Sequence, residues 1–534
     1  MPESKPVSVS QSEFDRLQKK LVPLWKSIER FNQDPQTIVV VPSMSIDAIG
    51  SGALMQAFEE RFLFLLLLLR QPRARLIYVT SQTILPSIID YYLDLLPGVI
   101  PSHARPRLFL IAPLDGSARP LSDKLLDRPR LIERIRSLIM DPARAHLVPF
   151  NTTSREKELA LRLGIPMYGA DPKFFSLGTK SGCRKIFMEE NVPHPLGHEN
   201  LGSKEELIGA IAQMRAKKPS IKQVLVKLNE GVSGEGNAII DLTGLPPVVP
   251  TGRDDAGHKE VSTQPGLTIP ATTSKERALL EERLRAMRFE LEGITYESYM
   301  KTLQERKAVV EERIMGEEFR SPSVQLRITP LGKVELLSTH DQLLGGPSGQ
   351  SYLGCVFPAD TGYAALITRE AAKVGRRLAK EGVIGRFALD FVVVRSNGKW
   401  EPYAIEINLR KGGTTHPFLT LQFLTDGKYD PDTAIFTAPN GQQKFFVASD
   451  HVESPAYRTL TPDDLFDIVV RNNLHFGQTR QTGVVFHMMS ALGELGRTGL
   501  TAVGNSRDDA KALYDRAVAV LDQETRSDGD ALRG

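Results

Sequence analysis

The chain has 534 residues, enough for roughly three or four domains, and its 41% hydrophobic and 25% charged content is that of a folded protein. Its net charge of +3 arises from 67 basic and 64 acidic residues scattered together, which points to neither a nucleic acid nor a membrane surface as partner. The two cysteines, Cys183 and Cys355, are too few for a disulfide framework and lack metal-site spacing, and the polar Met1–Ser10 has no signal-peptide core, so the expected setting is reducing and cytoplasmic.

Gln11–Phe31 carries Phe14, Leu17, Leu21, Leu24 and Trp25 at helical spacing, predicting one leading helix within residues 1–34. Thr37–Met44 (TIVVVPSM) is a continuous β-branched run, as a strand buried on both faces requires. Helical segments then alternate with Arg75–Ser81, Arg107–Pro113, His146–Phe150 and Pro166–Tyr168, which predicts a parallel, doubly wound α/β domain over residues 35–172. Its strand ends carry Ser43, Ser45, Gly50, Thr80, Ser81, Asp115 and Gly116, the place where open parallel sheets bind ligands. No dinucleotide fingerprint follows the first strand, since Ser43–Gly52 holds only Gly50 and Gly52. Phe62–Leu69 is a run of eight apolar residues, less than half a membrane span. It is expected as part of a helix buried between the sheet and a neighbouring domain, with a homodimer contact as its other use.

Gly178–Pro195 is basic and helix-like, and helical patterning continues over Leu201–Lys217. Gln223–Leu228 and Ala238–Leu242 read as strands on either side of Asn229–Asn237 (NEGVSGEGN). Lys227 ends an apolar strand on the same face as Leu225, a costly place for an ammonium group unless it meets an anion. With the backbone N–H groups around Gly231, Ser233, Gly234 and Gly236 it would suit a polyphosphate, although the glycine spacing fits neither a dinucleotide loop nor a P-loop and an ordinary hairpin loop is the plain alternative. Thr243–Thr273 reads as an exposed excursion and Ser274–Glu292 as a charged helix, together an insertion over residues 243–292. After a helical stretch at Thr295–Glu305, the strand Ala308–Met315 carries Glu311 and Glu312, which are site residues or solvated strand-end charges. Ser323–Thr329 and Lys333–Thr339 predict a hairpin, Gly345–Gly354 a flexible stretch, and Thr361–Gly382 a long amphipathic helix.

Gly385–Pro417 (GRFALDFVVVRSNGKWEPYAIEINLRKGGTTHP) holds two strand-like runs joined by Asn397-Gly398, a strong hairpin signal. Glu406, Asn408 and Arg410 are spaced by two and project from one face of a strand, with Ile405, Ile407 and Leu409 on the other. Asp390 lies in the partner run, and two carboxylates with an amide oxygen form an all-oxygen set suited to Mg²⁺. A two-residue turn in regular register would face Asp390 toward Ala404 or Ile405 and put Glu406 on the opposite side, so a shared site demands an irregularity, expected between Arg395 and Tyr403 because Pro402 favours a bulge or a sheet edge.

Beyond residue 430, Gln443–Ala448, Leu465–Val470, Thr482–Met488 and Leu500–Val503 read as strands and Ser506–Leu521 as a closing helix. His340 is expected to be a hydrogen-bonded loop histidine and His487 a core histidine, while His416 either lines a site or caps a helix.

The order of Lys227 and its loop, Glu311-Glu312 with Glu318 beyond, then Asp390, Glu406 and Asn408 resembles the ATP-grasp superfamily over roughly residues 173–425. Glu406-Ile407-Asn408-Leu409-Arg410 with His416-Pro417 is similar to the E-x-N-x-R element of the biotin carboxylase branch. The N-terminal α/β segment, Gly178–Pro195 and Asp463–Asp522 together resemble the pheganomycin-type peptide ligases, the C-terminal likeness resting on Arg480–His487 and Gly499–Gly504. That resemblance implies an α/β and α+β multidomain chain: a doubly wound pre-ATP-grasp domain at 35–172, an ATP-grasp core at 173–430 and a small α+β C-terminal domain at 431–534.

It also implies ATP and Mg²⁺ as cofactors, with one or two metal ions and Mn²⁺ as a substitute, and small-molecule or peptide carboxylate and amine substrates. Lys180 and Lys227 look like the phosphate lysines, and Glu311 with the backbone of Glu312–Ile314 like the adenine hinge. Glu318 looks like the ribose acid, Asp390, Glu406 and Asn408 like the Mg²⁺ ligands, and Arg410 like the residue that steadies the reacting groups. Arg386 stands farther before Asp390 than a substrate arginine of related ligases does. The implied reaction is ADP-forming amide synthesis through an acyl phosphate. The alternatives are a biotin-carboxylase-like activation of bicarbonate and a nucleotide-binding regulatory module without turnover.

Overall fold

The computed structural model describes residues 10–29, 35–45, 51–231, 236–246, 274–291, 293–345, 349 and 351–531. Ser233, Gly234 and Gly50, most of the excursion at 243–273 and part of the glycine-rich stretch at 345–354 lie outside the described residues.

The leading segment forms two helices, Gln11–Gln18 and Leu21–Glu29, where one was expected. Pro23 has no N–H to give to Lys19, so the first helix cannot run through it, and a proline is tolerated in the first turn of a new one. Next come four parallel strands, Gln36–Val41, Ala74–Val79, Leu108–Ile111 and Ala145–Pro149, in the spatial order third, second, first, fourth. Ile38, Val40, Leu76 and Tyr78 pack into one core, while Val39, Val41, Ile77 and Val79 pack into another. The period of two therefore buries both faces under helices, and the doubly wound reading holds.

Phe62–Leu69 is buried, mostly in a tight 3-10 helix, Leu63–Arg70. Phe64 meets Phe423 at 6.0 Å between ring centroids, and Phe62 meets Phe150 edge-on at 5.5 Å. The run is thus taken up by the chain's own core, between the parallel sheet and the helix Thr415–Thr425.

Two large antiparallel sheets follow, besides a two-stranded one of Lys428–Asp430 with Ile435–Thr437. The smaller has the order Gly197–Leu201, Ala308–Glu312, Gln223–Leu228, Asn237–Asp241, Arg288–Phe289. Leu280 and Leu284 of the helix Ser274–Arg285 enter its core, so the later part of the expected insertion belongs to this sheet. The larger sheet begins with Glu318–Arg320, Gly385–Ser396, Pro322–Ile328 and Val334–Gly345. It continues through Ser351–Phe357 into Phe445–Glu453, Arg497–Gly504 and Gly483–His487, so strands before and after residue 430 share one sheet. Lys399–Asn408 pairs with Gly385–Ser396 alone.

Further local expectations fail: Pro166–Tyr168 forms no strand but a single bridge, Met167 beside Leu147. Leu465–Val470 is not a strand but part of the helix Pro462–Arg471. Thr461 and Asp464 form a capping box around Pro462 at the first helical position, and that local start signal overrides the β-branched composition. The Gly345–Gly354 stretch contains the start of the strand Ser351–Phe357, paired with Val334–Gly345 through a register shift at Leu353 and, from Gly354 onward, with Phe445–Glu453 as well. Among the described residues no helix is long and apolar enough to cross a membrane.

Candidate active site

A cavity of about 940 Å³ is lined from one side by Leu225, Lys227 and Glu311–Gly316 of the smaller sheet and its exit, and from the other by Asp390, Glu406 and Asn408 of the larger. The Ser396–Lys399 turn is the regular two-residue kind, with φ of 51° at Asn397 and 75° at Gly398, the positive values that Asn-Gly accepts at low cost. Pairing stays regular through Pro402 opposite Val393 and Ala404 opposite Phe391. It then shifts by one, and Asp390 stands opposite Glu406.

The irregularity that a shared site demanded is present, but it falls at Ile405, outside the expected interval of Arg395–Tyr403. Pro402 is tolerated because its strand is an edge of the sheet, not because it is bulged. The outward N–H groups give the reason for the position. Ala404 N donates to the Pro193 carbonyl at 2.7 Å, and Ile407 N to Cys183 Sγ at 3.2 Å. Outward N–H groups of a regular strand recur every second residue; a spacing of three needs one extra residue between them. Ile405 consequently lines the cavity beside Glu406, whereas Ile407 and Leu409 pack into the core as expected.

Asp390 accepts from Gln342 Nε2 at 3.1 Å and from Asn408 Nδ2 at 2.9 Å. Burial pushes its carboxyl up to about 6; a hydrogen bond from Ser323 opposes the shift and the charge of Glu406 adds to it. Burial would also raise Glu406, but Lys180, whose Nζ lies 2.6 Å from Glu406 Oε1, together with Arg410 and Lys227, holds it below its ordinary value. Arg410 lies just past the strand end and lines the same cavity, bonded to the Lys411 carbonyl at 3.1 Å.

Lys227 does meet an anion, and in this structure it is Glu311: Nζ to Oε2 is 2.7 Å, and Arg184 holds the other carboxylate oxygen at 2.8 Å. Glu311 is 3% exposed and Glu312 8%, so neither is a solvated strand-end charge. Glu312 pairs with Lys218 at 2.5 Å and accepts from Leu196 N at 3.2 Å. Gly231 and Gly236 line the cavity at the two ends of the glycine loop. Asn229 ties that loop to the start of the helix Lys180–Glu189, its side-chain oxygen accepting from Ser181 Oγ at 2.6 Å.

Other candidates stand apart. Glu318 is absent from the cavity lining; it is half-exposed and lies 3.6 Å from Arg395. Arg386 is opposite Arg327 in the sheet, away from the cavity, its pKa drawn down to about 10 by burial. His340 is a core residue, bonded to Ser338 at 2.8 Å and held neutral by burial, which lowers it to about 3. His416 neither lines the cavity nor caps a helix end in isolation: with His487 it closes on Asp450, at 3.3 and 2.7 Å. The polar strand ends of the parallel sheet bond mainly to one another and to buried partners, as in Ser81 Oγ to Glu59 at 2.7 Å and Lys124 Nζ to Ser81 Oγ at 2.9 Å.

Sequence reasoning passed over Arg61, Asp450, His451 and Arg497, all in the lining. The available signals were slight: a charge set against the apolar run at 62–69, and an acid closing the strand-like FFVAS.

Residues 173–432 match the family described as IQCH-like, ATP-grasp, and residues 464–517 match the PGM1 C-terminal domain. L-propargylglycine–L-glutamate ligase of Streptantibioticus cattleyicolor is 30% identical over 469 residues, covering 86% of this chain and 88% of its own. The chain belongs to the ATP-grasp superfamily, in the branch of the pheganomycin-type peptide ligases. IQ motif-containing protein H of Danio rerio is 27% identical over 367 residues, 64% of this ATP-grasp chain and 34% of that relative, so the chain spans about a third of it. In fold, this ATP-grasp chain is similar to the biotin carboxylase of Campylobacter jejuni solved as a β,γ-ATP complex, with a TM-score of 0.50 at 13% identity over 90% of each chain.

Proposed function

We propose that this chain is an ATP-dependent carboxylate–amine ligase, releasing ADP and forming an amide or peptide bond through an acyl phosphate. The observation that carries this reading is the opposition of Asp390 and Glu406 on one cavity wall, with Lys180 and Lys227 in the same cavity.

The donor set suits a hard divalent cation. Two carboxylates face each other, Asp390 is pushed up to about 6 by burial with the charge of Glu406 adding to it, and Asn408 spends its amide N–H on Asp390, leaving its oxygen for a ligand. Mg²⁺ held there would neutralise charge on the transferring phosphoryl group. Lys180 and Lys227 are paired with Glu406 and Glu311, and each can turn from its carboxylate to a phosphate oxygen without leaving the cavity. The exit of the smaller sheet, Arg313–Gly316, offers backbone groups to a base lying beside Leu225 and Ile405. Arg410 presents a planar fork to the carboxylate that attacks ATP and, in the following step, to the leaving phosphate. The free, buried Cys183 and Cys355 accord with a reducing compartment.

Hydroxylamine trapping tests the reading directly. The full chain, with ATP and Mg²⁺, is offered a panel of carboxylic acids, and ADP and hydroxamate are measured together. Both should appear with at least one acid. ADP and hydroxamate absent across a broad panel would leave a nucleotide-binding protein without turnover as the better account.

A further inference from the structure

The cavity has a second charged end, away from the carboxylate pair. Arg61 is 7% exposed, and its guanidinium donates to Asp450 Oδ2 at 2.7 Å. Arg497 Nε donates to the Asp450 carbonyl oxygen at 2.7 Å, and its other arm meets His451 Nε2 at 3.0 Å. Arg61 and Arg410 share the Phe150 ring, with guanidinium carbons 5.6 and 6.0 Å from its centroid. Three guanidinium groups therefore follow one another along one wall, Arg410, Arg61 and Arg497, and all three line the cavity.

Their charges are not balanced from within. Arg410 answers to Glu406 and Asp390. Asp450 serves Arg61 and Arg497 together, and its carboxylate is already committed: Oδ2 to Arg61, Oδ1 to His487 at 2.7 Å with His416 at 3.3 Å. Glu453 lies 3.9 Å from Arg497 but is itself largely in solvent. Arg61 and Arg497 thus set two guanidinium groups about one committed carboxylate at the cavity wall, an excess of positive charge that suits an acceptor with two oxygens.

We propose that Arg61 and Arg497 hold a substrate carboxylate other than the one that is activated. The inference rests on the ligase reading above. The carboxylate is either a second acid group on the acid substrate or the free carboxylate of an amino acid or peptide that brings the amine. Lys180 and Lys227, which would take phosphate, act on Glu406, and Arg410 feels the charges of both Glu406 and Arg61, so one wall would read phosphate, reacting centre and remote carboxylate in order. His416 and His487 act through Asp450 as positioning residues: they fix the carboxylate that fixes Arg61.

The test uses the full chain with ATP and Mg²⁺ and measures amide formation from amino acids offered as acid and as amine. Each is supplied with its remote carboxylate free or converted to the carboxamide. For one of the two substrates the free acid should be preferred by at least about tenfold in kcat/KM, as expected when buried donors are left without their acceptor. Which substrate loses efficiency on amidation assigns the carboxylate to the acid or to the amine. The preference should fall to about threefold or less in Arg61→Met and in Arg497→Met. Arg61→Lys keeps a charge opposite Asp450 but loses the fork, and Arg497 is only partly buried, so a folding defect at Arg61 does not remove the test. Equal use of acid and carboxamide on both substrates, or a full preference retained in Arg61→Lys and Arg497→Met, overturns the inference while leaving the ligase reading intact. Absence of ADP and hydroxamate with every acid removes both.

Discussion

Asp390 and Glu406 stand opposite each other across the hairpin because Ile405 is an extra residue in one of its strands. The pairing puts two half-buried carboxylates on one wall, and their like charges disfavour each other. Asp390, raised from 3.8 to about 6, is ionised at pH 7.5 at a cost to the folded state on the order of 2–3 kcal/mol. Asp390→Asn should thus raise the unfolding midpoint of the nucleotide-free protein at pH 7.5 and, by removing a proposed Mg²⁺ ligand, lower turnover by about 10²–10³-fold. A lower midpoint with turnover intact would contradict both halves. Glu406→Gln should lose turnover alike, without that gain in stability, because Lys180 already compensates Glu406.

Lys227 and Arg184 share Glu311, which is 3% exposed. Lys227→Met leaves that carboxylate with one cation in place of two. Breaking a buried pair commonly costs about 3–5 kcal/mol, and the remaining Arg184 should keep the loss near the lower figure. Lys227→Met should also weaken ATP binding, measured calorimetrically, by about tenfold or more if the lysine turns to phosphate. Glu311→Gln separates the roles: it removes the resting partner and should leave Lys227 free for nucleotide. Unchanged ATP affinity in Lys227→Met would remove the phosphate assignment.

These relationships differ in how far they could be read from the sequence. Asn397-Gly398 announced its turn, and the need for a register shift followed from counting residues to Asp390 and Glu406. The position of the shift did not, because it is drawn by Pro193 and Cys183, which meet the strand from far away in the chain. Lys227 advertised an unmet charge on an apolar strand, and its partner Glu311 was one of two adjacent acids whose role stayed open. The helix Pro462–Arg471 was legible in Thr461-Pro462-Asp463-Asp464 and was masked by the β-branched residues after it. Arg61 and Asp450 are 389 residues apart, and neither sits in a motif with readable chemistry, so no local pattern could join them.

Glu60 predicts how stability varies with pH. It is 1% exposed in the N-terminal α/β segment, and its Oε2 accepts from Ser490 N at 3.1 Å, while Oε1 has no partner. Burial raises its pKa from 4.5 to about 7, with the Ser490 hydrogen bonds opposing and neighbouring Glu59 adding to the shift. Between those values the folded protein keeps a proton that the unfolded chain has lost, so stability falls as pH rises through that window and is lowest above it. The loss for this group is on the order of 3 kcal/mol. Glu60→Gln should raise the unfolding midpoint more at pH 8 than at pH 5, and flatten its decline with pH. Glu59, also raised to about 7, should leave a residual slope of the same sign. An equal shift at both pH values would show that Glu60 is ionised throughout.

Gly499 gives a steric prediction for the network behind Arg61. It stands opposite His487 in the sheet, and a Cβ built on it would lie 2.1 Å from His487 Nε2, the atom that holds Asp450 Oδ1 at 2.7 Å. Gly499→Ala must therefore push the imidazole off Asp450 or move the strand. Overpacking of this kind costs about 1–3 kcal/mol, visible as a lower unfolding midpoint. Gly493, in the helix Leu492–Leu495, has nothing within 4 Å of such a Cβ, and Gly493→Ala should be neutral or slightly stabilising. The decisive comparison is the pair His487→Ala and His487→Ala/Gly499→Ala. With the ring go the three atoms nearest to the new methyl, so the double variant should be no less stable than His487→Ala alone. A second loss of about 1 kcal/mol or more on adding Gly499→Ala would mean that the glycine is required by the backbone and not by the histidine it faces.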